Sequence, residues 1–151
     1  MVKPVGAMCN LDCGYCYYLE KEQLYPQSQS RRMADDLLES YIIQHIEASP
    51  DETVFFSWHG GEPTLLGIDY FLRILELQER HRPDGRKIAN GIQTNGTLIN
   101  EEWCRFLGSN RFYVGLSIDG PKYLHDHYRV TKKAEATHKA VLHAHRLFKK
   151  H

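Results

Sequence analysis

"TVFFSWHGGEP" (53–63) opens on a β-branched and aromatic run and closes on a glycine-rich loop. The run is too short for a typical helix and reads as a strand. Beyond the loop, Tyr70, Phe71, Ile74, Leu75 and Gln78 recur at helical spacing and stop before the turn signal "RPDG" (82–85). Strand, loop and helix in that order make one βα unit, and the unit recurs on both sides of this stretch. Upstream, residues 2–7 read as a short strand. Residues 19–33, polar and holding Pro26, read as a long surface loop. Leu37, Leu38, Tyr41, Ile42, His45 and Ile46 then form a helical stripe, with Asp35 and Asp36 favourably placed in its first turn. Downstream, "KIANGIQTNG" (87–96) predicts a third strand. Asn100 with Glu101 and Glu102 predicts an N-cap and acidic first turn, ahead of Trp103, Phe106 and Leu107 on an apolar face. "FYVGLSIDG" (112–120) predicts a fourth strand, and residues 135–150 a last helix striped by Val141, Leu142, His145 and Phe148.

Four βα units in series predict an α/β fold with a parallel sheet and helical crossovers. Ligands of such folds bind at the C-terminal ends of the strands. The chain puts its unusual residues there: a cysteine cluster, "HGGEP" (59–63), "TNG" (94–96) and "SIDG" (117–120). In the fourth strand Val114, Leu116 and Ile118 alternate with Gly115, Ser117 and Asp119. One set is expected to face the helices and the polar set the barrel interior. Gly91, Gln93 and Asn95 do the same around Ile92 in the third strand.

The 151 residues suit one domain, and 19 basic side chains balance 19 acidic ones. That balance gives no basic footprint for nucleic acid. No apolar run would span a bilayer, and the N-terminus lacks a secretory pattern. A reducing, cytoplasmic setting is the resulting expectation. In that setting clustered cysteines read as metal ligands or catalytic thiols rather than disulfides.

"CNLDCGYCYY" (9–18) holds three of the four cysteines, Cys9, Cys13 and Cys16. Thiolates hold iron–sulfur clusters, and a four-iron cubane normally takes four of them. Three would leave one iron open to a small molecule, as a catalytic zinc keeps an open position. Polar Asn10, Asp12 and Gly14 between the thiols speak for a loop rather than buried, ligand-free cysteines. A zinc site completed by His59 is the sharper alternative. Cys104 falls on the apolar side of a helix and reads as a core residue. Gly60 and Gly61 allow close backbone approach to a ligand, Pro63 fixes the turn, and Glu62 offers a carboxylate to a cationic group.

The C-x3-C-x2-C spacing with Tyr15 before the last cysteine resembles the radical S-adenosylmethionine (radical SAM) enzymes. "FSWHGGEPTLLGIDYF", "IQTNGTLINEEW" and "GLSIDGPKYLHDHYR" extend the likeness to the anaerobic sulfatase-maturating enzymes of the SPASM branch. The resemblance implies a partial (βα) barrel, about four of whose six units are present. It implies a [4Fe–4S] cluster on Cys9, Cys13 and Cys16, with S-adenosylmethionine on its open iron. Gly60, Gly61 and Glu62 would receive the methionine amino group, and Arg129 would pair with the carboxylate. Asn95, Ser117 and Asp119 would approach the ribose or methionyl part, and Tyr18 the adenine. His59 and Gln93 are candidate substrate contacts.

The implied reaction is reductive cleavage of S-adenosylmethionine to a 5′-deoxyadenosyl radical that oxidises a sulfatase Cys or Ser to formylglycine. The implied partners are a sulfatase polypeptide and an electron donor such as flavodoxin or ferredoxin. Other readings are a different SPASM peptide maturase or a non-catalytic sulfatase-binding regulator. Family members are longer and carry further core units and a C-terminal auxiliary-cluster region. Residues 1–151 are therefore expected to be the N-terminal part of the core domain, with the catalytic base beyond them, and not to complete substrate oxidation unaided.

Overall fold

The computed structural model describes residues 1–22 and 32–151. Three parallel strands, β1 (Thr53–Trp58), β2 (Lys87–Thr94) and β3 (Tyr113–Leu116), lie in the order β1-β2-β3. Helices α1 (Leu19–Glu22), α2 (Asp35–Ala48), α3 (Ile68–His81), α4 (Glu101–Ser109), α5 (Lys122–Tyr128) and α6 (His138–Lys150) complete the described elements, with a 3-10 turn at Pro63–Leu66. α3 joins β1 to β2 and α4 joins β2 to β3, the crossover order that parallel pairing demands.

Alternation in β1 sends Val54, Phe56 and Trp58 into the helix-covered core, while Phe55 stays exposed on the other face. α2 meets the sheet with Leu38, Ile42 and Ile46, α3 with Phe71, Ile74 and Leu77, and α4 with Trp103, Phe106 and Leu107. Phe71 is the hub: its ring lies edge-on to those of Trp58, Trp103, Phe106 and Phe112, with centroids 5.5–6.5 Å apart. Such pairs add about 0.5–1.5 kcal/mol each beyond area burial. Cys104 is buried in this same cluster. One polar knot sits among these rings. Asn90 Oδ1 accepts from Trp58 Nε1 (2.8 Å) and Gln78 Nε2 (2.9 Å), and Asn90 Nδ2 donates to Gln78 Oε1 (2.8 Å).

Four expectations need correction. Residues 2–7 are not a strand. Only Val2 bridges to Trp58, its N–H donating to Ser57 O and its carbonyl accepting from His59 N–H, each at 2.9 Å. Pro4 has no N–H to extend that ladder, and the Gly6 N–H turns back to the Lys3 carbonyl at 3.0 Å. Among the described residues the sheet therefore has three strands and one bridge in place of four strands. β3 ends at Leu116, so the alternation holds for Val114 and Leu116, which pack against the core, while Ile118 is exposed past the strand.

The last helix starts at His138, not 135, because Asp126 Oδ1 on α5 accepts from the N–H groups of Thr137 (3.0 Å) and His138 (2.8 Å). In the segment read as a surface loop, Leu19–Glu22 is helical and residues 23–31 lie outside the described residues.

Candidate cofactor site

The cysteine loop has few apolar residues of its own and is held in place by its neighbours. Leu11 is buried and bridges antiparallel to Thr131. The Asp12 N–H donates to Val130 O (2.8 Å) and the Gly14 N–H to Tyr128 O (2.9 Å). Within the loop, the Cys16 N–H closes a turn on Cys13 O at 2.8 Å. Asn10 ties it to the end of β2: its Oδ1 accepts from Asn95 Nδ2 (2.9 Å) and its Nδ2 donates to Thr97 Oγ1 (2.8 Å).

Cys9, Cys13 and Cys16 line one cavity of about 270 Å³ at the C-terminal ends of the strands. Tyr18, His59, Gly60, Gly61, Gln93, Asn95, Ser117 and Arg129 line it as well. Of the residues expected to contact cluster, cofactor or substrate, Glu62 and Asp119 alone do not line it. Glu62 is 0% exposed, and its carboxylate accepts four hydrogen bonds. Oε1 takes Thr64 N–H (3.1 Å), Thr64 Oγ1 (2.7 Å) and Thr94 Oγ1 (2.8 Å), while Oε2 takes Asn95 N–H (2.7 Å). Here Glu62 splices the glycine loop to β2, and the surface facing the cavity is the backbone of Gly60 and Gly61.

Those glycines also serve the chain itself. A Cβ on Gly61 would lie 1.9 Å from Met8 O, and one on Gly60 2.8 Å from Gly6 O. Without side chains the two backbones meet, Gly61 N–H on Gly6 O (2.8 Å) and Glu62 N–H on Met8 O (2.9 Å).

Arg129 faces the cavity from the end of α5. Its Nε is 3.0 Å from Asp119 Oδ2, an ion pair off the line of a hydrogen bond. Its guanidinium lies 5.4 Å from the ring centroid of Tyr15, whose hydroxyl donates to the same Asp119 oxygen at 2.5 Å. Burial works to raise the Asp119 pKa, yet the Tyr15 and Arg129 contacts outweigh it and hold the carboxyl below its ordinary value. Gln93 Nε2 donates to Ser117 Oγ at 3.0 Å, over a Gly115 that leaves room for that side chain. His59 Nδ1 is buried without a hydrogen-bond partner among the described residues, and burial lowers its pKa.

Cys9 and Cys13 sit in a poorly solvated environment. Burial raises the pKa of Cys9, and raises that of Cys13 to about 11 against the pull of Arg129. Metal binding must displace such protons. Two donors point at the Cys9 sulfur, Leu11 N–H (3.4 Å) and Asn95 Nδ2 (3.8 Å). Among the described residues, no group of three or more His, Cys, Asp or Glu side chains is placed to hold a metal ion. A four-iron cubane holds its thiolates at separate corners, and three soft donors lining one cavity supply the ligand chemistry it needs.

Sequence reading missed Thr97 altogether, and missed the partners that tie Tyr15, Thr94 and Asn10 into this site. Their roles come from partners more than thirty positions away in the chain, which periodicity does not reveal.

This loop–sheet arrangement is that of a radical SAM core. The chain belongs to the radical SAM superfamily, whose family model matches residues 4–151. That family implies a [4Fe–4S] cluster and S-adenosylmethionine as cofactors. It is 46% identical over 151 residues to a serine-type anaerobic sulfatase-maturating enzyme of Bacteroides thetaiotaomicron, covering 100% of this chain and 36% of that protein. It is 40% identical over its whole length to a cysteine-type enzyme of Clostridium perfringens, covering 40% of it. Among solved structures, native anSMEcpe with bound AdoMet superposes with a TM-score of 0.88 at 40% identity, over 98% of this chain and 40% of that one. The same protein with AdoMet and the Cp18Cys peptide gives 0.86 at 40% identity, over 98% of this chain and 38% of that one. The chain thus spans about two fifths of these relatives.

Proposed function

We propose that this chain is the cofactor-binding part of a radical SAM enzyme that matures sulfatases, oxidising a Cys or Ser of a sulfatase polypeptide to formylglycine. The observation that carries this reading is the shared cavity. Three thiols on one loop face Arg129, and the matched relatives are sulfatase-maturating enzymes. When bound, the cluster and S-adenosylmethionine supply one-electron cleavage to a 5′-deoxyadenosyl radical able to abstract hydrogen from the substrate.

The residues divide the work. Cys9, Cys13 and Cys16 hold the cluster. Arg129 takes the methionine carboxylate, backed by Asp119, while the Gly60–Gly61 backbone takes the amino group. Glu62 keeps that backbone registered on β2. Tyr18 packs on the adenine, Ser117 and Asn95 border the ribose or methionyl part, and His59 and Gln93 face the substrate. Free cysteines and the need for an electron donor such as flavodoxin or ferredoxin suit the cytoplasm. Among the described residues no helix is long and apolar enough to cross a membrane.

The test is anaerobic reconstitution with iron and sulfide, followed by S-adenosylmethionine, a low-potential reductant and sulfatase peptides carrying Cys or Ser. Four irons per chain and 5′-deoxyadenosine dependent on all three cysteines are the expected result. Zinc in place of iron, or cleavage independent of the cysteines, overturns it. Peptide mass, read on the full-length enzyme carrying these residues, separates formylglycine from the crosslinks made by other peptide maturases.

A further inference from the structure

His125 is 0% exposed in the middle of α5 and does not line the cavity, yet it bonds toward both members of the Asp119–Arg129 pair. Its Nδ1 lies 3.3 Å from the Asp119 backbone N–H, and its Nε2 3.0 Å from Thr137 Oγ1. A backbone N–H can only donate, so Nδ1 carries no proton and a neutral ring carries its proton on Nε2. That Nε2–H donates to Thr137 Oγ1, and the threonine hydroxyl donates in turn to the Arg129 carbonyl at 2.7 Å. The His125 carbonyl accepts the Arg129 N–H at 2.8 Å. Both backbone groups of Arg129 are thus fixed by His125, one directly and one through Thr137.

The ionisable groups facing the imidazole are Asp119 and Arg129 from its flanks, Asp126 on its own helix and His138 on α6, whose ring centroid is 5.3 Å away. Burial first, then Arg129, lowers the His125 pKa, in keeping with a neutral ring.

We propose that His125 is a positioning residue that orients the Asp119–Arg129 pair toward a carboxylate bound in the cavity. The proposal rests on the reading of Arg129 as the partner of the S-adenosylmethionine carboxylate. His125 touches no reacting atom. It acts by locking one backbone N–H and one backbone carbonyl on either side of the ion pair.

The test is S-adenosylmethionine affinity by calorimetry on the reconstituted protein, with iron content measured alongside. Thr137→Val removes the link to the Arg129 carbonyl at nearly constant volume. His125→Gln keeps a donor for Thr137 and removes the acceptor for the Asp119 N–H. Each is expected to weaken binding about tenfold, the order of one lost hydrogen bond, with cluster content unchanged. In an Arg129→Ala background neither should weaken it further, because the affected contact is already gone.

Wild-type affinity in both variants overturns the proposal. So does a full, additive loss in the Arg129→Ala background, which marks a merely structural role. If Arg129→Ala alone binds like wild type, the reading of Arg129 fails and the proposal falls with it. If Arg129→Ala weakens binding and the two variants do not, the proposal alone fails. Should His125→Gln fail to fold, Thr137→Val decides.

Discussion

Gly14, within the cysteine loop, and Gly61, packed against the backbone just before it, are under opposite constraints. A Cβ on Gly61 would collide with the Met8 carbonyl, which is backbone and cannot swing aside, whereas Gly14 has open space around it. Gly61→Ala is therefore expected to destabilise the fold by about 1–3 kcal/mol or more, through forced backbone shifts. Gly14→Ala should stay within about 0.5 kcal/mol of wild type. Urea unfolding midpoints distinguish the two, and equal midpoints would contradict the close approach. Cys13→Ala tests the other face of the loop. It should abolish the visible charge-transfer absorption after reconstitution, and a full cluster in that variant would remove Cys13 from the ligand set. That the cysteines and the glycine pair share one cavity was legible in the sequence, because each follows closely on a stretch that reads as a strand. The direction of the Glu62 carboxylate was not legible. Its partners Thr94 and Asn95 come from another strand, and no local pattern tells a satisfied buried carboxylate from one that awaits a cation.

The elements whose apolar stripe is long were read correctly: α2, α3 and α4 each bury one face, and Asn100 caps α4 by accepting from Trp103 N–H at 2.9 Å. α5 escaped notice because it is short and, among its residues, only His125 is buried. The start of α6 was misplaced because its cap is borrowed from α5. That borrowed cap gives a prediction. Asp126→Ala leaves the N–H groups of Thr137 and His138 without their acceptor and should cost about 0.5–2 kcal/mol, the usual range for a lost N-cap. Asp126→Asn keeps an acceptor oxygen and should recover most of the loss. Thermal unfolding of the two variants checks this, and identical behaviour would show that the carboxylate oxygen is not the cap.

For the whole molecule, parallel α/β architecture followed from the alternation of strand and helix patterns, while the number of true strands depended on hydrogen bonds that Pro4 cannot make. Stability against pH is also a property of the whole chain. Burial lowers the pKa of both His59 and His125 below the ordinary 6.5. Below about pH 6.5 the unfolded chain takes up protons that the folded chain refuses, so stability is full above that pH and declines as pH falls toward the folded values. Urea midpoints should therefore drop between pH 7.5 and 5.5, and His125→Gln should flatten part of the drop. A midpoint that rises on acidification would contradict the buried neutral state of these rings.

The antiparallel contact of Leu11 with Thr131, flanked by the bonds from Asp12 and Gly14 to Val130 and Tyr128, joins the beginning of the chain to a segment made far later. During synthesis the thiols emerge first, but the backbone that frames their loop leaves the ribosome only after residue 131. Any metal loading at these thiols is therefore expected late in biogenesis: a nascent chain halted before Val130 carries all three thiols and still lacks the frame that presents them together.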